Sequence, residues 1–209
     1  MTDTPDLGPA VDALRAGRMV VYPTETLYAL GARALSAPAV ASVATVKGRD
    51  PSSPIAVIAS DVAMAEGLLL DPPSAARRLM MRFWPGPLTL VLPARPSLPA
   101  ELTAEGAIGV RVSAHPIARA LAAAVGEPLT ATSANPTGAA PPDQLEAARA
   151  YFGARVSAYV DGGALAGGSP STVVSVGADA VHVVRSGAVP IEAIRDALGS
   201  IPITLPEHH

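Results

Sequence analysis

A lysine and an arginine two positions apart, in Ala44-Thr45-Val46-Lys47-Gly48-Arg49, are the first residues whose types and spacing point to chemistry. Fourteen of the fifteen basic side chains are arginine, which leaves Lys47 as the one lysine. A chain that has filled its other basic positions with arginine keeps a lysine where a compact, rotatable ammonium does something a planar fork does not. Beside Arg49 it makes a site for a polyanion such as a nucleoside triphosphate. The same tripeptide equally suits a helix end, where cations in the last turn meet the dipole and a glycine just beyond satisfies the orphan carbonyls. Both readings stand on these residues alone.

Hydroxyl and amide side chains gather where strands are expected to end. Pro23-Thr24-Glu25-Thr26 follows one strand, Thr132-Ser133-Ala134-Asn135 follows another, and Ser169-Pro170-Ser171-Thr172 opens a third. Ligands of open α/β sheets lie in crevices at strand ends, and such groups can both donate to and accept from a small polar substrate. Local turns and helix caps account for any one cluster taken singly. Three clusters accompanied by Lys47 and Arg49 point to a binding site. Arg111, within Gly109-Val110-Arg111-Val112, sits in an apolar strand, where it must be paired or liganded. A structural ion pair and a substrate carboxylate satisfy that need equally well.

Other chemistries find no support. The chain has no cysteine, which excludes disulfides, thiolate nucleophiles and Cys-ligated metals. The pairs Gly162-Gly163 and Gly167-Gly168 read as a turn-rich connection, since no G-x-x-x-x-G-K-[ST] loop is present. His115, just before Pro116, reads as a cap or turn residue. No His/Asp/Glu cluster has metal-ligand spacing, and no G-x-S-x-G elbow occurs.

The elements that must hold these residues read as short strands alternating with helices. Helices are expected over 7–16, 37–46, 74–82, from Pro116, over 143–152 and over 191–198. Strands are expected over 19–22, 27–30, 54–58, 88–92, 108–112, 129–132, 158–160, 172–176 and 181–184. Residues 94–106 read as a loop and Trp84-Pro85-Gly86-Pro87 as a turn. Val-rich strands in βα alternation predict an α/β fold, and consecutive strands without a helix between them predict a mixed sheet, twisted and flanked by helices. With 209 residues, 49% hydrophobic, 16% charged and 3% aromatic, the chain is expected to form one domain cored by Ala, Val, Leu and Ile. The net charge of -3 gives no global basic field, so a nucleic-acid contact would need a local patch. The acidic, polar start and the lack of any apolar run of roughly 18 residues lead to the expectation of a cytoplasmic protein with no membrane contact. His208 and His209 read as the end of a tail over 200–209.

Taken in order, Pro23-Thr24-Glu25-Thr26-Leu27-Tyr28-Ala29-Leu30-Gly31, Lys47-Gly48-Arg49, Phe83-Trp84-Pro85-Gly86-Pro87-Leu88-Thr89, Gly109-Val110-Arg111-Val112, Ser133-Ala134-Asn135, Ser171-Thr172-Val173-Val174 and Val184-Arg185-Ser186-Gly187 form a recognisable set. The chain resembles the YrdC-like family in its short, single-domain threonylcarbamoyl-AMP synthase form, over residues 8 to 195. That resemblance implies a central concave cleft and an ATP-dependent nucleotidyl transfer in which L-threonine, bicarbonate and ATP, with its Mg²⁺, give threonylcarbamoyl-AMP and pyrophosphate. The product feeds N6-threonylcarbamoyladenosine formation on tRNA, which implies downstream threonylcarbamoyl-transfer proteins and contact with tRNA or double-stranded RNA, and no tightly bound metal. Position by position, the resemblance places Thr26, Arg111, Ser133 and Ser171 on threonine. Lys47, Arg49, Ser53, Asn135 and Arg185 fall on ATP, with Lys47 and Arg49 stabilising charge at the phosphates. Ala29, Asp50, Ile58, Ala107 and Pro141 are positions where the family commonly carries other residues. A non-catalytic RNA-binding paralogue of the same fold is the second reading. Scarce aromatics and a negative net charge favour the enzyme.

Overall fold

Residues 5–50 and 53–205 are described by a computed structural model, so His208 and His209 lie outside the described residues. Where each element lies follows from which of its faces is apolar. Helix α1 (Gly8–Arg15) buries Ala10, Val11, Ala13 and Leu14. Helix α5 (Pro116–Val125) buries Ile117, Ala118, Leu121 and Ala122. Together they cover one side of β1 (Val20–Pro23) and β2 (Tyr28–Gly31), forming a core with Val20, Tyr22, Ala29 and Ile58. A larger core collects Leu88, Leu90, Leu92, Ile108 and Val110 from two central strands, with Leu79 and Ile194 from α4 (Ser74–Phe83) and α7 (Ile191–Leu198).

The strands divide between two mixed sheets. The smaller has the order β8-β2-β1-β9, where β8 is Thr132–Ser133 and β9 is Ala158–Tyr159. The larger has the order β12-β11-β10-β4-β6-β3-β7. Its members are β3 (Val57–Ala59), β4 (Leu88–Pro93), β6 (Ala107–Val112), β7 (Leu129–Thr130), β10 (Thr172–Val176), β11 (Val181–Arg185) and β12 (Ile203–Thr204), with β5 (Thr103–Ala104) beside β6. β4 runs parallel to β10 and antiparallel to β6, and β6 runs parallel to β3, the mixture expected of strands that follow one another without helices.

Four elements differ from expectation. The strand expected over 129–132 is two: β7 pairs with β3 in the larger sheet, and β8 pairs with β2 in the smaller. Between them the Ala131 N–H donates to Ala56 O at 2.8 Å, so the chain crosses from one sheet to the other with no loop. Within the expected loop 94–106, β5 hairpins onto β6. Residues 203 and 204, expected in a tail, pair with β11 as its parallel neighbour. A short helix, α3 (Val62–Glu66), was not expected; Asp61 caps it by accepting from Met64 N. The remaining helices are α2 (Ala37–Lys47) and α6 (Leu145–Phe152).

Candidate functional site

A cleft of about 630 Å³ is lined from both sheets: Tyr28, Ala29, Thr132 and Ser133 from the smaller, and Thr89, Val91, Gly109, Arg111, Val173 and Arg185 from the larger. Thr24, Thr26, Arg49, Ser53 and Ser171 complete its polar wall. Seven of the residues expected at the site therefore meet here: Thr26, Arg49, Ser53, Arg111, Ser133, Ser171 and Arg185.

Local backbone geometry aims several of them. Thr24 Oγ1 donates to Leu27 O at 2.7 Å and accepts from the N–H groups of Thr26 and Leu27, which closes the turn between β1 and β2. The two hydroxyls of Thr24 and Thr26 lie 3.1 Å apart. Ser171 stands at the entry to β10, its hydroxyl 3.0 Å from that of Thr89. Arg185 Nη2 donates to both Ser171 O, at 2.8 Å, and Ser171 Oγ, at 3.2 Å. Gly187 packs directly on this strand entry: a Cβ there would lie 2.3 Å from Pro170 O and 2.6 Å from Ser171 C. The Arg185-Ser186-Gly187 motif is thus tied to Ser171 by a side chain and by a close backbone approach.

Arg111 bears out the first of its two readings, the structural ion pair, and stands in the cleft lining. It is 6% exposed, and its Nη1 donates to Glu25 Oε1 at 2.6 Å, so it is a buried ion pair; it also lines the cleft. The second Glu25 oxygen accepts from Ser113 Oγ, and Ser113 is fully buried. The pair neutralises a buried charge at the edge of the cleft. Tyr22, fully buried, has its phenol pKa raised by burial, opposed by Arg111 and assisted by Glu25. Partial burial, and then Arg111, lower the pKa of Arg185.

Lys47 and Asn135 differ from expectation. Gly48 takes the left-handed conformation, φ 61°, at the end of α2, and the Arg49 N–H closes back on Ala44 O at 2.9 Å. That turn separates the two cations of the motif. Arg49 reaches the cleft wall, donating from Nε to Ser53 O at 3.1 Å and from Nη2 to Pro54 O at 2.9 Å. Lys47, 4% exposed, does not line the cleft; its Nζ donates to Ser133 O and Asn135 O, each at 2.5 Å. Burial, with Arg49 adding repulsion, lowers its pKa to about 8. Asn135 also lies behind the wall, its Nδ2 donating to Pro136 O at 3.0 Å and Ala139 O at 2.8 Å. Of the positions that depart from the family's usual residues, Ala29, Ala107 and Pro141 line the cleft; Ile58 is buried in the smaller core and Asp50 is exposed.

Sequence reasoning passed over Glu25 and Ser113 as partners of Arg111. Glu25 lay inside a quoted motif, but its pairing spans 86 residues and carries no local signal. Val91, one of the apolar residues of the wall, reads only as strand interior. Among the described residues, no group of three His, Asp or Glu is placed to hold a metal ion, and no helix is long and apolar enough to cross a membrane.

The family model for Sua5/YciO/YrdC proteins, described as telomere recombination, matches residues 12–187. A Bacillus subtilis threonylcarbamoyl-AMP synthase is 36% identical over 204 residues, covering 97% of this chain and 59% of its own length. The crystal structure of Pyrococcus abyssi Sua5 complexed with L-threonine superposes with a TM-score of 0.89 at 35% identity, over 93% of this chain and 57% of that one. This chain therefore spans well under two thirds of both of those proteins. The E. coli YciO structure superposes at 0.80 with 28% identity, over 88% and 90% of the two chains. With the model matched across most of its length and the same fold around a cleft built from its motifs, the chain belongs to the Sua5/YciO/YrdC family.

Proposed function

We propose that this chain is a threonylcarbamoyl-AMP synthase: an ATP-dependent nucleotidyltransferase, folded as one YrdC-like domain, that converts L-threonine, bicarbonate and ATP into threonylcarbamoyl-AMP and pyrophosphate. The observation that carries the reading is the convergence on one cleft of hydroxyls, from Thr26, Ser133 and Ser171, with three arginines, Arg49, Arg111 and Arg185. The naming of the Bacillus relative and the threonine bound to the Pyrococcus protein support it.

In this reading the free part of the Arg111 fork takes the threonine carboxylate, while Thr26, Ser133 and Ser171 hydrogen-bond the amino acid's polar groups. Arg49, Ser53 and Arg185 line the part of the cleft that takes the nucleotide. The threonine nitrogen gains a carboxyl group from bicarbonate, with loss of water. An oxygen of that carbamate then attacks the α-phosphorus of ATP, and the bond to the leaving pyrophosphate breaks. Negative charge grows on phosphate oxygens, and Arg49 and Arg185 stabilise it; Mg²⁺ enters with ATP and shares that charge. Positioning and electrostatics suffice for such a transfer without a covalent intermediate. The product then passes to proteins that move the threonylcarbamoyl group to tRNA.

The test is direct. Purified protein is incubated with ATP, Mg²⁺, L-threonine and labelled bicarbonate, and the adenylate fraction is separated. Label should enter an adenylate only when threonine is present, with pyrophosphate released in equal amount. Retention of RNA at physiological salt, with no label in any adenylate, would replace this reading with the RNA-binding one.

A further inference from the structure

We infer that Lys47 is a positioning residue: its ammonium clamps the backbone that presents Ser133 to the cleft, and so sets the amino-acid side of the site rather than contacting the nucleotide. This rests on the proposed function for the identity of the amino acid. The clamp itself rests on geometry. Nζ donates to the carbonyls of Ser133 and Asn135, two residues apart, and the Lys47 backbone carbonyl accepts from Thr137 N at 2.8 Å. One residue thus holds the 133–137 segment through both its side chain and its backbone. Two of the three ammonium N–H groups are used on carbonyls, and the side chain is 4% exposed, outside the cleft wall.

The clamped segment needs an external tie. β8 is only two residues long, held to β2 through the pairs Ala29↔Ser133 and Leu30↔Thr132 and by the Ala134 N–H, which donates to Tyr28 O at 2.8 Å. Beyond Ala134 the chain leaves the sheet. Asn135, 6% exposed, uses its Nδ2 within its own loop, and its Oδ1 is buried with no hydrogen-bond partner among the described residues. Two carbonyls converging on a point suit a compact ammonium, whereas a guanidinium places its donors in a plane and farther from Cα. That difference gives a physical reason for the one lysine to sit here, in a chain otherwise using arginine.

Two measurements separate a clamp from a phosphate contact. The first is the affinity for L-threonine in the absence of nucleotide, by titration calorimetry, for wild type, Lys47→Met and Lys47→Arg. A clamp predicts that Lys47→Met, still folded by circular dichroism, binds threonine about 10-fold or more weakly, because a misplaced positioning group costs up to ~10²-fold. Lys47→Arg should fall between the two. A phosphate contact predicts unchanged threonine affinity and a raised KM for ATP, and that result overturns the inference. A purely structural role predicts lower stability with unchanged threonine affinity, which also overturns it. The second measurement uses wild-type protein, where reductive methylation, read at the Lys47 peptide apart from the N-terminal amine, reports on a single lysine. The clamp predicts slow methylation of Lys47 whether or not ATP is present; rapid methylation that ATP blocks overturns it. Should wild type fail to bind threonine, the substrate reading falls and the methylation result alone decides the clamp.

Discussion

Charge in the cleft is arranged in two depths. Arg49 and Arg185 stand in its wall with their guanidiniums partly exposed, whereas Arg111 is fixed from behind by Glu25, which is itself held by Ser113. A buried pair of this kind is weak evidence for stability, but removing one partner leaves a charge uncompensated in the interior. Glu25→Leu is therefore expected to lower unfolding free energy by about 3–5 kcal/mol. The double variant Glu25→Leu/Arg111→Met should lose markedly less than the sum of the two single changes, because no orphaned charge remains. Urea unfolding of the four proteins measures this coupling, and additive losses would mean that Glu25 and Arg111 do not act as a pair. At this scale the types of the site residues were legible, and their directions were not. Arg111 announced itself as an arginine in an apolar strand. Nothing near it in sequence names Glu25, and nothing in Lys47-Gly48-Arg49 states that a left-handed glycine turns one cation inward and leaves the other at the cleft.

Helix ends and strand ends do the positioning, and their signals were read with uneven success for physical reasons. Apolar positions at helical spacing, or a proline in the first turn, made α1, α2, α4 and α5 visible, each with four buried positions, and α7 shows through Ile194 and Leu198 one turn apart. Helix α3 is five residues long and too short to show a period. Leu129 to Thr132 reads as one strand because the switch between sheets at Ala131 changes the hydrogen-bond partners, not the residue types. His115 shows how such an end works. It precedes α5, and its Nδ1 accepts from Ile117 N at 3.3 Å, a role only an unprotonated nitrogen can fill. Burial lowers its pKa below 6.5, with Glu25 opposing and Arg119 assisting. The unfolded chain thus takes up its proton at higher pH than the folded one, so this residue's contribution is full above 6.5 and is lost as pH falls through the depressed folded value. His115→Ala should cost ~1 kcal/mol near pH 8, the usual scale for a lost N-cap, and less near pH 5, below the ordinary imidazole value. Chemical unfolding at the two pH values measures the difference, and a cost independent of pH would mean that the cap is not made by the ring nitrogen.

The whole molecule carries a net charge of -3, yet the wall of its cleft holds three arginines. An anionic ligand is therefore captured by short-range contacts within the cavity and is not drawn in by the overall field. The two substrates should consequently respond differently to salt. In the proposed function threonine, small and neutral overall, is assigned to Arg111, which is largely buried, where screening is weak. ATP, with several negative charges, is assigned there to Arg49 and Arg185, which are nearer solvent, where salt screens effectively. Any ligand that binds only the folded state stabilises it by mass action, about 2.7 kcal/mol at 100 times its Kd, or roughly 5–10 °C in Tm for a chain of this length. With each ligand fixed at the concentration that gives such a shift in dilute buffer, raising ionic strength to about 1 M should shrink the ATP shift while leaving most of the threonine shift, since the Debye length falls to about 3 Å. Arg111→Met should abolish the threonine shift in either buffer, as removal of Arg49 or Arg185 should the ATP shift. Equal salt sensitivity of the two shifts would place both ligands at the open wall and remove Arg111 from the amino-acid site, because Arg111, held by Glu25, is buried, whereas Arg49 and Arg185 are not.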